Sequence, residues 1–231
     1  MVSAAAITDA LRAVRDPELD ESIVELGFVA SLSVDGGDVT LRLRLPTYFC
    51  APNFAYLMVA DAQEAIRSVP GVAGARVELD DHCASEEINR GVAHARGFDG
   101  TFPGLAEGSD LEQLRLTFRR KALIVRQDRL CRSLLAEDRT PEQLAGLRLR
   151  DLPPGDERDR YLSRRAELGY STAPEAALLI DAGGRAVPPE QALRLLRMGR
   201  TTRVSIEGNA GFCRGLLATR YGPRPAQQER E

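Results

Sequence analysis

The segment Pro46–Asn53 contains the cysteine that is best placed for chemistry. Cys50 stands in the run P-T-Y-F-C-A-P-N, which follows a strand pattern and precedes a helical one. A cysteine just before a helix lies near the positive end of the helix dipole, which favours the thiolate. A thiolate is the form that ligates metals and acts as a nucleophile. The alternative is a small buried residue, as free cysteines commonly are.

A histidine and a second cysteine end a later predicted strand. His82 and Cys83 follow two aspartates in the run D-D-H-C. Strand ends at one edge of a sheet can lie near the Cys50 loop, so a soft metal site could collect Cys50, Cys83 and His82. Adjacent residues point to opposite sides of a strand, so ligation by both would need irregular backbone. The alternative is an ordinary strand end.

Two more cysteines lie in the C-terminal half. Cys213 stands in the glycine-rich run G-N-A-G-F-C-R-G and could fold back as another metal ligand, whereas Cys131 has helical spacing to its apolar neighbours and is expected in the core. The four cysteines form no C-x-x-C pair, which excludes a zinc ribbon and a thioredoxin-like motif. One cysteine cannot hold a cluster that needs four ligands. Either Cys83 and Cys213 complete the ligands, or two chains share them as a homodimer, or the contacts are transient.

The composition excludes several classes of protein. The 231 residues carry 31 basic and 34 acidic side chains, so a strongly cationic nucleic-acid binder is not expected. No apolar run approaches the length of a membrane span, and residues 1–15 do not resemble a secretory signal. A reducing, cytoplasmic compartment with free thiols is therefore expected. Only two histidines are present, His82 and His94, so no Ser/His/Asp set is credible and no enzyme is expected.

The first 96 residues alternate between helical and strand patterns. Helical spacing over 3–15, 53–68 and 85–95 and strand alternation over 28–34, 38–45 and 73–79 predict the order αββαβα. Asn53 and Ser85 are the expected N-caps of the second and third helices. The fold class predicted for this part is a small α+β domain.

The remaining residues predict a second, mostly helical part. Residues 97–108 are rich in Gly and Pro and indicate a linker, 109–222 a mostly helical domain, to which the family resemblance given below adds client recognition, and 223–231 a flexible tail. Helices are expected to begin near Pro141, Pro174 and Pro189, and residues 201–206 to be extended. Residues 1–98 hold 8 basic and 15 acidic side chains (−7), and 99–231 hold 23 and 19 (+4). Arginines over 115–132 could contact an acidic client or form a solvated face.

The N-terminal part resembles a known family. The runs D16-P17-E18-L19 and S22-I23-V24-E25-L26-G27-F28-V29, the alternating strand 41–45, the Thr47–Cys50 loop and the turn P70-G71-V72 are similar to the SufT-like metal–sulfur cluster assembly family. That family includes the ring-hydroxylation accessory protein of phenylacetate degradation and the cytosolic iron–sulfur targeting factors. The resemblance covers residues 5–90.

The resemblance implies a role in assembling or delivering an iron–sulfur cluster, or iron, with Cys50 as the functional cysteine. Asp16 and Glu18 match the family's acidic pair near that cysteine, although a turn that caps the sheet edge would explain them equally well. Thr47 matches a loop threonine that could orient the loop or hydrogen-bond the sulfur. The implied partner is a client metalloenzyme, such as an oxygenase component.

Two other functions remain open at this stage. A metal-independent adaptor or folding helper for an oxygenase would need the C-terminal half more than the cysteines. A thiol-dependent enzyme would use Cys50 as a nucleophile, but the sequence offers no convincing base.

Overall fold

The computed structural model describes residues 1–104 and 110–222. Its N-terminal part has the predicted order of elements, with short helices added before the first strand and after residue 96. The elements are α1 (Ala4–Leu11), α2 (Ile23–Leu26), β1 (Val29–Asp35), β2 (Asp38–Arg44), α3 (Pro52–Arg67), β3 (Gly74–Asp80), α4 (Ser85–Ala93) and α5 (Gly97–Thr101). With the helical C-terminal part described below, the predicted α+β class is confirmed.

The sheet has β2 as its central strand. β1 pairs with it in antiparallel orientation through a turn in which Gly36 has φ +59°, and β3 pairs with it in parallel orientation. Val39, Leu41 and Leu43 are buried while the residues between them are exposed, as the alternating pattern predicts. Because β2 is hydrogen-bonded on both sides, the loop that follows it starts from a rigid strand.

Helix α3 packs against the sheet and begins directly after the Cys50 loop. The predicted N-cap Asn53 is wrong, because Ala51 occupies the N-cap and Pro52 the first helical position. Proline has the fixed φ that this position needs and lacks the N–H that would be left unpaired there. Ser85 is likewise the first residue of α4 rather than its cap, and its hydroxyl contacts His82 instead.

The C-terminal part is helical, as predicted. Its elements are α6 (Asp110–Ala136), α7 (Pro141–Gly146), a short 3-10 turn (Leu149–Asp151), α8 (Asp156–Glu167) and α9 (Pro189–Tyr221). Thr140 and Gln143 form a capping box at α7, and Cys131 is fully buried in the core, as expected. No helix among the described residues is long and apolar enough to cross a membrane.

Two predictions about local structure in this part are wrong. Residues 201–206, predicted as extended, lie inside α9, where Arg203 and Ile206 are buried. Their packing overrides the weak helix propensity of a run rich in β-branched residues. No helix begins at Pro174. This residue stands in a turn, and its carbonyl accepts a hydrogen bond from the Arg150 amide.

The described residues divide into two compact units. Unit 1 comprises 1–104, 110–112 and 208–222, and unit 2 comprises 113–207. The end of α9 belongs to unit 1 because Ala210 and Leu217 are buried in its core. The predicted linker 97–108 contains α5, and a Cβ at Gly91 would overlap the Thr101 side chain, so this segment packs closely on α4. The boundaries of independently folding domains stay a prediction, and the tail 223–231 lies outside the described residues.

Candidate functional site

The Cys50 loop connects β2 to α3 and holds its thiol half-buried. The Thr47 hydroxyl lies 3.3 Å from the Cys50 sulfur, so the loop contact expected for Thr47 is present. Cys50 immediately precedes Ala51, the N-cap of α3, whose side chain offers no hydrogen-bond acceptor. The partial positive charge of the helix end is therefore adjacent to the cysteine, as the sequence predicts.

His82 holds the Cys50 loop from the end of β3. Its Nδ1 accepts a hydrogen bond from the Ala84 amide (3.1 Å), so Nε2 carries the proton and donates it to the Cys50 carbonyl (2.7 Å). The side chain is only 4% exposed. Both ring nitrogens thus have partners within the chain, so in this arrangement His82 positions the loop, and its role as a metal ligand stays a prediction.

Cys83 reaches the same loop through its backbone. Its amide donates to the Tyr48 carbonyl at 2.9 Å, while its side chain is exposed. The turn after β3 is therefore fixed to the Cys50 loop at two points, through His82 and Cys83. The expected approach of this strand end to the loop is present, and ligation by the Cys83 thiol stays a prediction.

Asp16 and Glu18 lie in a tight turn between α1 and α2. Asp16 Oδ1 accepts hydrogen bonds from the amides of Glu18 and Leu19, both at 2.9 Å, as the turn-capping alternative expects. Burial raises the pKa of Asp16 to about 6, and these two hydrogen bonds offset part of that rise. Glu18 is exposed.

Cys213 joins this group from the end of α9. Burial is the largest cause that raises the pKa of its thiol to about 11, and the negative charges of Asp16, Cys50 and Glu18 raise it further, while Arg214 opposes them. Cys213 and Cys50 both pack against the core of unit 1. The approach of Cys213 to Cys50 and its role as a ligand stay predictions.

Residues 208–221 of α9, here called the C-terminal clasp, are fixed to three segments around Cys50. Arg214 forms an ion pair with Glu21 in the turn that contains Asp16. Arg220 donates to the Leu45 carbonyl at 3.2 Å and to the Asp81 carbonyl at 2.7 Å. Sequence reasoning missed this role of the clasp, because its contacts join residues more than a hundred positions apart.

Tyr221 completes the clasp. Its hydroxyl donates to Asp81 Oδ2 at 3.0 Å, and the Arg44 guanidinium lies 4.7 Å from its ring centroid. Since Asp81 directly precedes His82, the clasp is attached to the same turn that fixes the Cys50 loop.

Exposed aromatic side chains directly precede Cys50 and Cys213 in the sequence. Phe49 is 78% exposed and packs edge-on against the partly exposed Tyr48, with ring centroids 5.0 Å apart. Phe212, which precedes Cys213, is 67% exposed. Large exposed apolar groups are typical of protein contact surfaces.

The described residues contain no group of three or more His, Cys, Asp or Glu side chains arranged to hold a metal ion. The thiols of Cys50 and Cys213, whose ligation stays a prediction, are together called the cysteine site. Protein-bound clusters commonly have four protein ligands, of which these two thiols would supply half.

Unit 2 has a different surface feature, a groove lined by residues of α6 and α9 and by Pro141, the first residue of α7. Its volume is about 460 Å³, and we call it the arginine groove. Its lining consists of Asp128, Arg132, Leu135, Pro141, Leu193, Leu196, Arg197, Arg200 and Arg203. Arg203 is buried and bound to Asp128 at 2.6 Å, whereas the other three arginines make no ion pair or side-chain hydrogen bond with any described residue.

Comparison with known proteins bears on the N-terminal part of the chain. Residues 4–79 match the family model described as iron–sulfur cluster assembly protein. An iron–sulfur cluster carrier protein of Synechocystis sp. is 34% identical over 79 residues, which are 34% of this chain and 22% of that protein. An uncharacterised protein of Methanocaldococcus jannaschii is 32% identical over 90 residues, which are 38% of this chain and 93% of that protein. No solved structure matches the chain significantly.

These matches define the class of protein. Through its N-terminal part, the chain belongs to the family of iron–sulfur cluster assembly proteins, as the sequence resemblance implies. The family match includes Asp16, Thr47 and Cys50 and ends before His82, so the C-terminal clasp and the whole of unit 2 lie outside it.

Proposed function

We propose that this chain assembles or carries an iron–sulfur cluster, or iron, and delivers it to a client metalloenzyme. The observation that carries the proposal is the half-buried Cys50 thiol in a loop that belongs to the family match and is held by Thr47 and His82. The cluster is cargo here, and the chain acts as a carrier rather than as an enzyme.

The geometry of the cysteine site suits a carrier. The loop backbone is fixed by the His82 ring, so the Cys50 sulfur is positioned before cargo arrives. The thiol is half-buried, so it stays accessible to a donor or an acceptor protein. Two thiols per chain leave ligand positions open, which favours release to a client and would also allow two copies to share one cluster as a homodimer.

The client is proposed to contact unit 2. Three unpaired arginines and the leucines of the arginine groove favour an acidic surface with apolar side chains. The family resemblance favours a component of a multicomponent iron oxygenase as this client.

Anaerobic reconstitution with iron and sulfide tests the cysteine role. We expect Cys50→Ser to lose most of the visible absorption of the bound cluster and its transfer to an apo-ferredoxin acceptor. Cys83→Ser measures the effect of removing an exposed thiol from the same unit, and thermal unfolding shows that each variant is folded. Undiminished binding and transfer by Cys50→Ser would contradict the proposal.

A metal-independent adaptor is the second candidate, favoured by the arginine groove, which needs no cysteine. It predicts that a client from the native host binds equally well to the wild type and to Cys50→Ser. The carrier proposal predicts that cluster transfer is lost even where client binding survives.

A further inference from the structure

We propose that Cys213, which lies outside the region matched by the family, is the second thiol ligand of the cargo held at Cys50. This inference rests on the proposed function and deepens it. In this proposal the family domain supplies the Cys50 thiol, and the C-terminal clasp supplies the second thiol of the same site.

The first argument is the face of α9 on which Cys213 stands. Ala210 and Leu217 lie three residues before it and four residues after it, so the three share one face of the helix. Both neighbours are buried in the core of unit 1, and Cys50 and Cys213 both pack against that core. The Cys213 side chain is therefore directed toward unit 1.

The second argument is the set of contacts that fixes the clasp. Arg220 binds the carbonyl of Leu45, the residue before the Cys50 loop, and the carbonyl of Asp81. Asp81 precedes His82, whose ring donates to the Cys50 carbonyl. The clasp that carries Cys213 is thus fixed to the segment before the Cys50 loop and to the turn that holds this loop.

The third argument is charge. Arg214 lies next to Cys213, but its charge is paired with Glu21, which ends the turn that contains Asp16 and Glu18. A soft cation with thiolate affinity, such as iron, suits two thiols beside an arginine whose charge is already paired.

Metal binding at this site balances in protons and in electrons. Each thiol releases one proton and forms one sulfur–metal bond, with no change of oxidation state. Since a cluster commonly has four protein ligands, the two thiols of one chain supply half of them. The other half must come from sulfur ligands of a second copy, of the donor or of the client.

Cadmium binding to the full, reduced chain under anaerobic conditions tests the inference without a cluster. Thiolate–cadmium bonds absorb in the ultraviolet, so the absorbance per bound ion reports the number of sulfur ligands. We expect Cys213→Ser and Cys50→Ser each to lower this absorbance by about half and to weaken binding by roughly tenfold or more, and the double variant to abolish the band.

The outcomes separate this inference from the proposed function. If Cys213→Ser retains wild-type absorbance and affinity while Cys50→Ser loses both, Cys213 is not a ligand and the carrier proposal stands. If neither variant differs from the wild type in cadmium binding or cluster loading, both proposals fail. Thermal unfolding without metal identifies any variant whose loss comes from misfolding, and Cys213→Ala then repeats the measurement with a different side chain.

Discussion

The cysteine site and the arginine groove use arginine in opposite ways. Around Cys50, Arg214 and Arg220 pair with acidic groups or carbonyls from distant parts of the chain and so fix the clasp in place. In the groove, Arg132, Arg197 and Arg200 have no such partner among the described residues. Arg214 and Arg220 thus hold the clasp in place, whereas Arg132, Arg197 and Arg200 form an open charged surface of the groove.

This difference indicates that the cysteine site suits cargo binding and that the arginine groove suits partner binding. A site that holds cargo needs its ligands positioned before binding, because a displaced ligand weakens metal affinity. A surface that meets a protein partner gains more from unpaired charge, which accelerates encounter and selects partners. The family match covers residues 4–79, which include Cys50, and the arginine groove lies outside it.

The largest change in stability is expected at Asp128, the acidic residue that lines the arginine groove and pairs with the buried Arg203. Asp128→Ala removes a buried partner of Arg203 and leaves that charge with Glu207 alone. We expect a loss of about 3 kcal/mol in the free energy of unfolding, measured by denaturant titration. Arg132→Ala, an exposed neighbour in the same groove, should change it by about 0.5 kcal/mol or less. Similar losses in the two variants would show that the groove arginines are structural.

The second-largest effect is a pH dependence of the free energy of unfolding, caused by Asp16 in unit 1. Burial raises the pKa of Asp16 from 3.8 to about 6, so in this interval the folded chain binds the proton more tightly than the unfolded chain does. The stabilising contribution of protonated Asp16 is full below about pH 4 and is lost as the pH rises through about 6. Asp16→Asn stays neutral and can still accept hydrogen bonds from the turn amides.

We therefore expect Asp16→Asn to gain about 2 kcal/mol of stability relative to the wild type between pH 4 and pH 7. Denaturant titrations of the metal-free proteins across this range measure the difference. A constant difference, independent of pH, would show that the Asp16 carboxyl titrates alike in the folded and unfolded chains.

Much of the fold follows from local patterns in the sequence. The alternation along β2 and the Gly36 turn predict the hairpin, and the position of Cys50 before a helix predicts the loop. These signals are local, since each depends on a few neighbouring residues. The run around Cys213 is rich in glycine, which weakens helices, yet it is helical because Ala210 and Leu217 pack into the core of unit 1.

The contacts around the cysteine site could not be predicted in the same way. The hydrogen bond from His82 to the Cys50 carbonyl joins residues 32 positions apart, and that from Arg220 to Leu45 joins residues 175 apart. Neither has a periodicity or a motif. Their partners are backbone carbonyls, which every residue carries, so the sequence does not distinguish the carbonyl that is used.

The smallest effect tests whether the clasp acts on the thiols or only on stability. Tyr221→Phe keeps the ring beside Arg44 and removes the hydrogen bond to Asp81, so it should cost about 1 kcal/mol. Tyr170→Phe in unit 2 removes a comparable bond, from a hydroxyl to the Ala182 carbonyl at 2.8 Å, and should cost a similar amount. Stability alone would therefore not separate the two variants.

Thiol reactivity does separate them. Loosening the clasp should expose Cys213 and accelerate its alkylation by iodoacetamide, which mass spectrometry follows for each cysteine. Tyr170→Phe should leave that rate unchanged because its lost bond lies within unit 2. Equal alkylation rates in the two variants would mean that the Tyr221–Asp81 hydrogen bond does not control access to Cys213. The contacts of Arg214 and Arg220 would then be the ones that fix the clasp.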